Sequence, residues 1–182
     1  MTAQLTAWNT QRVDMPFAEF SALADTHHSE YIDGSLVLNP PTRRHVQIAR
    51  RLTRALEDVA PAELEVLPEA GWLVAPETVC VPDIMVASSD APGEDLLRAA
   101  PVLVVEVASR STRAADLGRK RELYASGGAQ WYWIVDPEQQ SIIVLENIAG
   151  TFVETERITE DRQVISEPFA LVLDLSEIFG SR

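Results

Sequence analysis

The apolar positions of this chain fall mostly into short runs of strand length. EYIDGSLVLNP (30–40) sets two such runs around Asp33-Gly34, a pair suited to the tight turn of a hairpin, and Pro40-Pro41 ends it. Further strands are predicted at LEVLP (64–68), GWLVA (71–75), TVCVPDIMVAS (78–88) and PVLVVEVA (101–108), with the acidic stretch SSDAPGED as the loop between the last two. QWYWIVD (130–136) and SIIVLEN (141–147) form another pair around a turn containing Pro137, and weaker strand patterns follow near 151–158 and 163–173. Helical spacing is confined to fewer places. Phe17, Phe20, Leu23 and Ala24 predict a short helix from Pro16 to about His28. Thr42 is the expected N-cap of a helix through about Val59, whose apolar stripe is Ile48, Leu52, Ala55, Leu56 and Val59. A third helix runs from about Thr112 to Ser126 and stops at Gly127-Gly128, and SEIFG closes the chain with a short turn of helix. Residues 1–15 read as a flexible arm. The whole predicts one α+β (α/β) domain over 16–182, built on a mixed sheet flanked by helices.

Two charges interrupt this pattern where it calls for apolar residues. PVLVVEVA is apolar on both alternating faces, as in a central strand covered on both sides, yet Glu106 shares a face with Val104 and Ala108. A carboxylate buried without a partner costs several kcal/mol, on the order set by desolvation, so a cation, proton or metal must accompany it. A core ion pair is the simplest such arrangement. Asp83 interrupts VCVPDIMVA in the same way, on the face of Val81 and Met85. The preceding Pro82 cannot donate to a strand ladder, so the strand is expected to break there and present a carboxylate at the sheet opening; an ordinary turn aspartate is the alternative.

On the following helix Arg113, Leu117, Lys120 and Tyr124 share one stripe, with Leu117 and Tyr124 directing it toward the sheet. Lys120 is the only lysine in the chain and lies in mid-stripe. Either it turns inward, or it pairs on the helix surface with Asp116 four residues earlier. Two carboxylates from neighbouring strands with a lysine meet the needs of metal-assisted phosphodiester hydrolysis. Carboxylate oxygens select a hard ion such as Mg²⁺ or Mn²⁺ over zinc, and the ammonium orients water or stabilises charge developing on phosphate.

Composition narrows the setting. At 182 residues, with 46% hydrophobic and 24% charged positions, the chain has the make-up of a globular domain. No apolar run nears the roughly 20 residues that span a bilayer, and the first 15 residues lack a signal-peptide core, so a cytoplasmic protein without a membrane partner is expected. The single Cys80 excludes an intrachain disulfide and any multi-cysteine zinc site, and in TVCV it reads as a buried thiol. A net charge of −13 argues against indiscriminate nucleic-acid binding. The positive charge is nonetheless grouped, in Arg43, Arg44, Arg50, Arg51 and Arg54 and again in Arg110, Arg113, Arg119, Lys120 and Arg121. These stretches form either one phosphate-attracting face or separate solvated helix faces.

The order of these features resembles the PD-(D/E)XK nuclease superfamily and, more narrowly, the Uma-two (DUF820-like) family of restriction-type endonucleases. The matching segments are EYIDG (30–34), PP..RH ending at His45, VPD (81–83), VVEVAS.ST (104–112), D...K...Y from Asp116 to Tyr124, YWIVDP (132–137) and ALVLDLSEIFG. The resemblance implies a restriction-endonuclease-like core. It implies Asp83, Glu106 and Lys120 as catalytic residues, with Asp83, Glu106 and the further acid Glu30 as metal ligands, joined by the Val107 carbonyl, and His45 as a polar residue near the pocket that binds substrate together with Arg110 and Arg113. Arg110, Arg113 and the arginine-rich helix would place the phosphate backbone of DNA. The superfamily lysine normally stands two residues after the strand glutamate, where this chain has Ala108, so the lysine must come from the following helix. Trp131 replaces the family's usual Glu before Tyr-Trp, and Arg110 stands where that turn carries Pro.

The leading expectation is a Mg²⁺- or Mn²⁺-dependent endodeoxyribonuclease. The alternative is a catalytically inactive nuclease-fold module that acts in DNA binding or protein interaction, which the acidic charge and Ala108 favour. A homodimer built on SIIVL and Trp131 or Trp133 is compatible with either.

Overall fold

The computed structural model describes residues 10–23, 29–93, 95–108 and 118–180. Its centre is a six-stranded sheet ordered β11-β10-β9-β8-β7-β4 (Thr151–Ile158, Ser141–Ile148, Trp131–Asp136, Leu103–Val107, Ile84–Ser88, Leu64–Pro68). All neighbours are antiparallel except β8 and β9, which run parallel with Leu103 opposite Trp131 and Val107 opposite Val135. The sheet is therefore mixed. A parallel pair needs a crossover, and helix α3 (Arg119–Ser126) lies on it.

The double-sided apolar pattern of β8 has the expected cause. Leu103, Val105 and Val107 pack with Ile48, Leu52 and Leu56 of helix α2 (Arg43–Glu57), while Val104 joins Leu123, Tyr124 and Ala125 of α3 on the other face. Alternation therefore turns Glu106 toward α3. The same alternation along the neighbouring strand β9 sends Trp133 to the α2 side and Tyr132 to the α3 side. α2 begins where expected: the Thr42 side chain accepts the His45 amide hydrogen as N-cap.

A second, antiparallel sheet of order β1-β3-β2-β6-β5 (Gln11–Asp14, Ser35–Leu38, Glu30–Ile32, Thr78–Cys80, Trp72–Ala75) stands beside it. Asp33 and Gly34 take positive φ, 52° and 79°, in the β2–β3 turn, as a tight hairpin demands. Hairpin β12-β13 (Arg162–Ile165, Leu171–Asp174) and helix α4 (Leu175–Phe179) complete the α2 side, and helix α1 (Phe17–Ser21) packs Phe20 on Tyr31.

Four expectations change. The run 78–88 is two strands in different sheets, because the connection Val81-Pro82-Asp83 leaves the five-stranded sheet at Cys80 and enters the six-stranded sheet at Ile84. Gln11–Asp14, read as arm, is an edge strand paired with β3; every residue in it is exposed, so it leaves no apolar pattern. The helix expected to reach His28 ends at Ser21, and residues 24–28 lie outside the described residues. Of the residues expected at a dimer surface, SIIVL and Trp133 are covered, since β10 lies between β9 and β11 and Trp133 is fully buried, which leaves the half-buried Trp131. Among the described residues no helix is long and apolar enough to cross a membrane.

Candidate active site

The two sheets and the N-terminus of α2 enclose a pocket of about 340 Å³ lined by Glu30, His45, Glu69, Asp83, Glu106 and Lys120, with Val37, Asn39, Pro41, Val81 and Val107. Each charged member arrives by a local structural necessity. Asp83 stands where Pro82 has broken the strand, one residue before Ile84 pairs with Val105 of β8. Its Oδ2 accepts the Val107 amide hydrogen at 2.6 Å, which ties the carboxylate to the strand that carries Glu106. Its Oδ1 lies 2.8 Å from Nε2 of His45, in the first turn of α2. A carboxylate accepts, so this contact calls for the hydrogen on Nε2.

Glu106 is 4% exposed and Lys120 7%, which makes their contact a buried ion pair. Lys120 Nζ is 2.9 Å from Glu106 Oε1 and 3.0 Å from Glu30 Oε1. One turn further along α3, Tyr124 donates its hydroxyl hydrogen to the same Glu106 Oε1 at 2.6 Å. Burial raises the Tyr124 pKa well above its usual value, and the Glu106 charge raises it further, so the hydroxyl stays protonated and remains a donor. The inward stripe of α3 thus delivers an ammonium and a phenol to one carboxylate oxygen, and the surface pairing with Asp116 is not needed to account for Lys120. Asp116 itself lies outside the described residues.

A family model described as "Putative restriction endonuclease", Uma2, matches residues 17–176. The chain belongs to the Uma2 family. No curated protein matches this sequence. Among solved structures, one titled as a putative nuclease belonging to DUF820 from Anabaena variabilis is 23% identical, with a TM-score of 0.73 over 91% of this chain and 97% of that one. At that identity the likeness is one of fold, and it identifies the Uma2 chain's mixed sheet and flanking helices as restriction-endonuclease-like.

The Uma2 site holds residues that pattern alone missed. Tyr124 was legible as an inward residue, and its i, i+4 spacing from Lys120 was the available signal for a shared target. Glu69 sits in the β4–β5 turn at φ 50°, its amide bonded to the Asp83 carbonyl at 3.1 Å, and no periodicity marks it. Asn39 read only as the end of a hairpin. Arg110 and Arg113 lie outside the described residues. Of the other arginines, Arg44 and Arg51 of α2 donate to the carbonyls of Pro137 and Ile178, and Arg121 to that of Phe152. Arg119 pairs with Asp33 at 2.7 Å, while Arg43, Arg50 and Arg54 are exposed on α2. Much of the grouped positive charge therefore has a structural partner.

The donor set suits a hard ion that keeps part of its water shell. Among the described residues no three His, Cys, Asp or Glu side chains are grouped to chelate a metal by themselves. Asp83, just before β7, and Glu106, on the adjacent β8, nevertheless bring two carboxylates to one pocket. Mg²⁺ is commonly held by one or two carboxylates, with water and substrate phosphate completing its shell. Cys80 is buried and offers no thiolate, since burial and then the Glu30 charge raise its pKa well above the usual range.

Proposed function

We propose that this Uma2 protein is a metal-dependent endodeoxyribonuclease that hydrolyses DNA phosphodiester bonds. Asp83 and Glu106 would hold Mg²⁺ or Mn²⁺, and Lys120 would act beside them. The observation that carries this reading is the convergence of Asp83, Glu106 and Lys120 on one pocket, with the lysine 2.9 Å from the glutamate despite coming from a different element. Ala108 occupies the usual lysine position, but the ammonium arrives from α3 and fills the same chemical need.

A bound ion would polarise the phosphate and lower the pKa of its water. The chain's own residues do the rest. His45 and the Val107 amide hold the Asp83 carboxylate from both oxygens, so it is oriented before substrate arrives. Tyr124 and Lys120 both donate to Glu106 Oε1, which fixes the rotation of that carboxylate. The Lys120 ammonium supplies positive charge at the pocket wall, where charge develops on a phosphate oxygen. Val37, Pro41 and Val107 give the pocket apolar wall, which limits the water that competes for these groups.

The test is cleavage of supercoiled plasmid by the purified protein in Mg²⁺ or Mn²⁺ and in chelator. Nicking that needs the ion and disappears in Glu106→Ala and Lys120→Met supports the proposal. A melting temperature raised by Mn²⁺ in the wild type and not in Asp83→Ala places the ion. The second reading, a non-catalytic nuclease-fold module acting in DNA binding or protein interaction, is favoured by Ala108 and by the net charge of −13. Absence of cleavage with Mn²⁺ bound would select it.

A further inference from the structure

Glu30 belongs to the metal in the family pattern, but its contacts in this chain point elsewhere. It is 8% exposed on β2, in the five-stranded sheet, whereas Asp83 and Glu106 serve the six-stranded one. Its Oε1 accepts the Val81 amide hydrogen at 3.1 Å and lies 3.0 Å from Lys120 Nζ as an ion pair. Val81 opens the Val81-Pro82-Asp83 connection. One oxygen therefore secures both the lysine and the segment that delivers Asp83.

We infer that Glu30 is a positioning residue for Lys120 and not a ligand of the metal, an assignment that rests on the nuclease reading of the same pocket. The reason lies in charge. A buried ammonium must keep an anionic partner. If Glu106 were the sole partner of Lys120, giving its charge to a metal would strand the lysine. With Glu30 on its other side, Lys120 keeps a carboxylate at 3.0 Å while Glu106 serves the ion. A second tie supports this. Arg119, next to Lys120, binds Asp33, three residues after Glu30, at 2.7 Å, so the β2–β3 hairpin holds the start of α3 at two points.

The chain's single lysine makes the test direct, because protein labelled with ¹⁵N-lysine carries one side-chain ammonium signal. Glu30→Gln keeps the shape and an acceptor for Val81 but removes the charge that holds Lys120. In that variant the Lys120 signal is expected to move, or to vanish through faster exchange with water. Its Mn²⁺ affinity, by calorimetry, falls far less than in Asp83→Asn, since the variant loses a neighbouring charge and no ligand of the ion. Its kcat on plasmid DNA falls about 10- to 100-fold with KM unchanged. Asp83→Asn gives the reverse: Mn²⁺ affinity is lost and the lysine signal stays. An unmoved Lys120 signal in Glu30→Gln overturns the inference, as does a loss of Mn²⁺ affinity as large as that of Asp83→Asn. A wild type that neither binds Mn²⁺ nor cuts DNA defeats the nuclease reading alone, while the lysine signal still decides whether Glu30 holds Lys120. Should Glu30→Gln not fold, Glu30→Asp, which draws the carboxylate back by one methylene, is read by the same three measurements.

Discussion

Nε2 of His45 lies 2.8 Å from Oδ1 of Asp83, while Oδ2 of that carboxylate accepts the Val107 amide hydrogen at 2.6 Å. One carboxylate is thus held by a helix from one side and a strand from the other. On this geometry His45 orients Asp83, which differs from contacting DNA directly. His45→Ala is expected to keep the fold, lower kcat and Mn²⁺ affinity about 10- to 100-fold, and leave KM for DNA in place. His45→Gln, which retains a donor, recovers part of the loss. A rise in KM with kcat and metal affinity intact would instead return His45 to substrate binding.

Tyr124 is fully buried, tilted against Trp72 at 5.6 Å between ring centroids and edge-on to Tyr132 at 5.4 Å. Tyr124→Phe keeps this aromatic packing and removes only the 2.6 Å donor to Glu106. Leaving a buried carboxylate with one fewer donor costs about 1–3 kcal/mol, so the urea midpoint should fall while the fold persists. A midpoint equal to the wild type's would show that Lys120 alone satisfies Glu106.

The parts of this molecule legible from pattern are those where burial imposes a rule. Glu106 stood out because a two-sided apolar strand has no place for a bare charge, and Lys120 because its stripe faces the sheet. Asp83 was visible through Pro82, whose missing N–H forces the break. What pattern could not show was that Val81-Pro82-Asp83 passes between two sheets: both flanking runs alternate alike, and sheet membership is decided by long-range pairing. Strand β1 was silent for the opposite reason, since an exposed edge needs no apolar face. Glu69 sits in a turn and Asn39 in the connection after β3, where no period exists to be violated.

Asp33 and Arg119 form a pair whose worth is readable against pH. The Arg119 hydrogen bond holds the Asp33 carboxyl below its usual value of 3.8 against the opposing effect of burial, and the Arg119 charge adds to the lowering. The folded pKa is therefore below the unfolded one, so the pair's stabilisation is complete above the unfolded pKa and is lost as pH falls through the folded pKa. Asp33→Asn suits the test because asparagine tolerates the positive φ of 52° found there. Both side chains are 48% exposed, so screening limits the expected loss at pH 7 to less than about 1 kcal/mol. Urea midpoints of variant and wild type should differ at pH 7 and pH 5 and converge as the pH falls through the folded pKa of Asp33. A gap that persists into acid would mean that the turn itself, and not the charge, had been damaged.

Cys80 ends strand β6 with no exposed surface, beside the buried Glu30, Lys120, Glu106 and Tyr124. Burial raises its pKa well above 9.0 and the Glu30 charge raises it further, while Lys120 lowers it and Glu106 adds a lesser rise. The thiol is therefore both protonated and inaccessible at pH 8, where an ordinary cysteine is already partly thiolate. A chromogenic disulfide reagent should label one thiol at once in urea, but the native protein at least about 10³-fold more slowly, since labelling must wait for opening of the fold. Rapid labelling of the native chain would mean that β6, the strand before the Asp83 connection, opens without global unfolding. That result would remove the rigidity on which a preset carboxylate site depends.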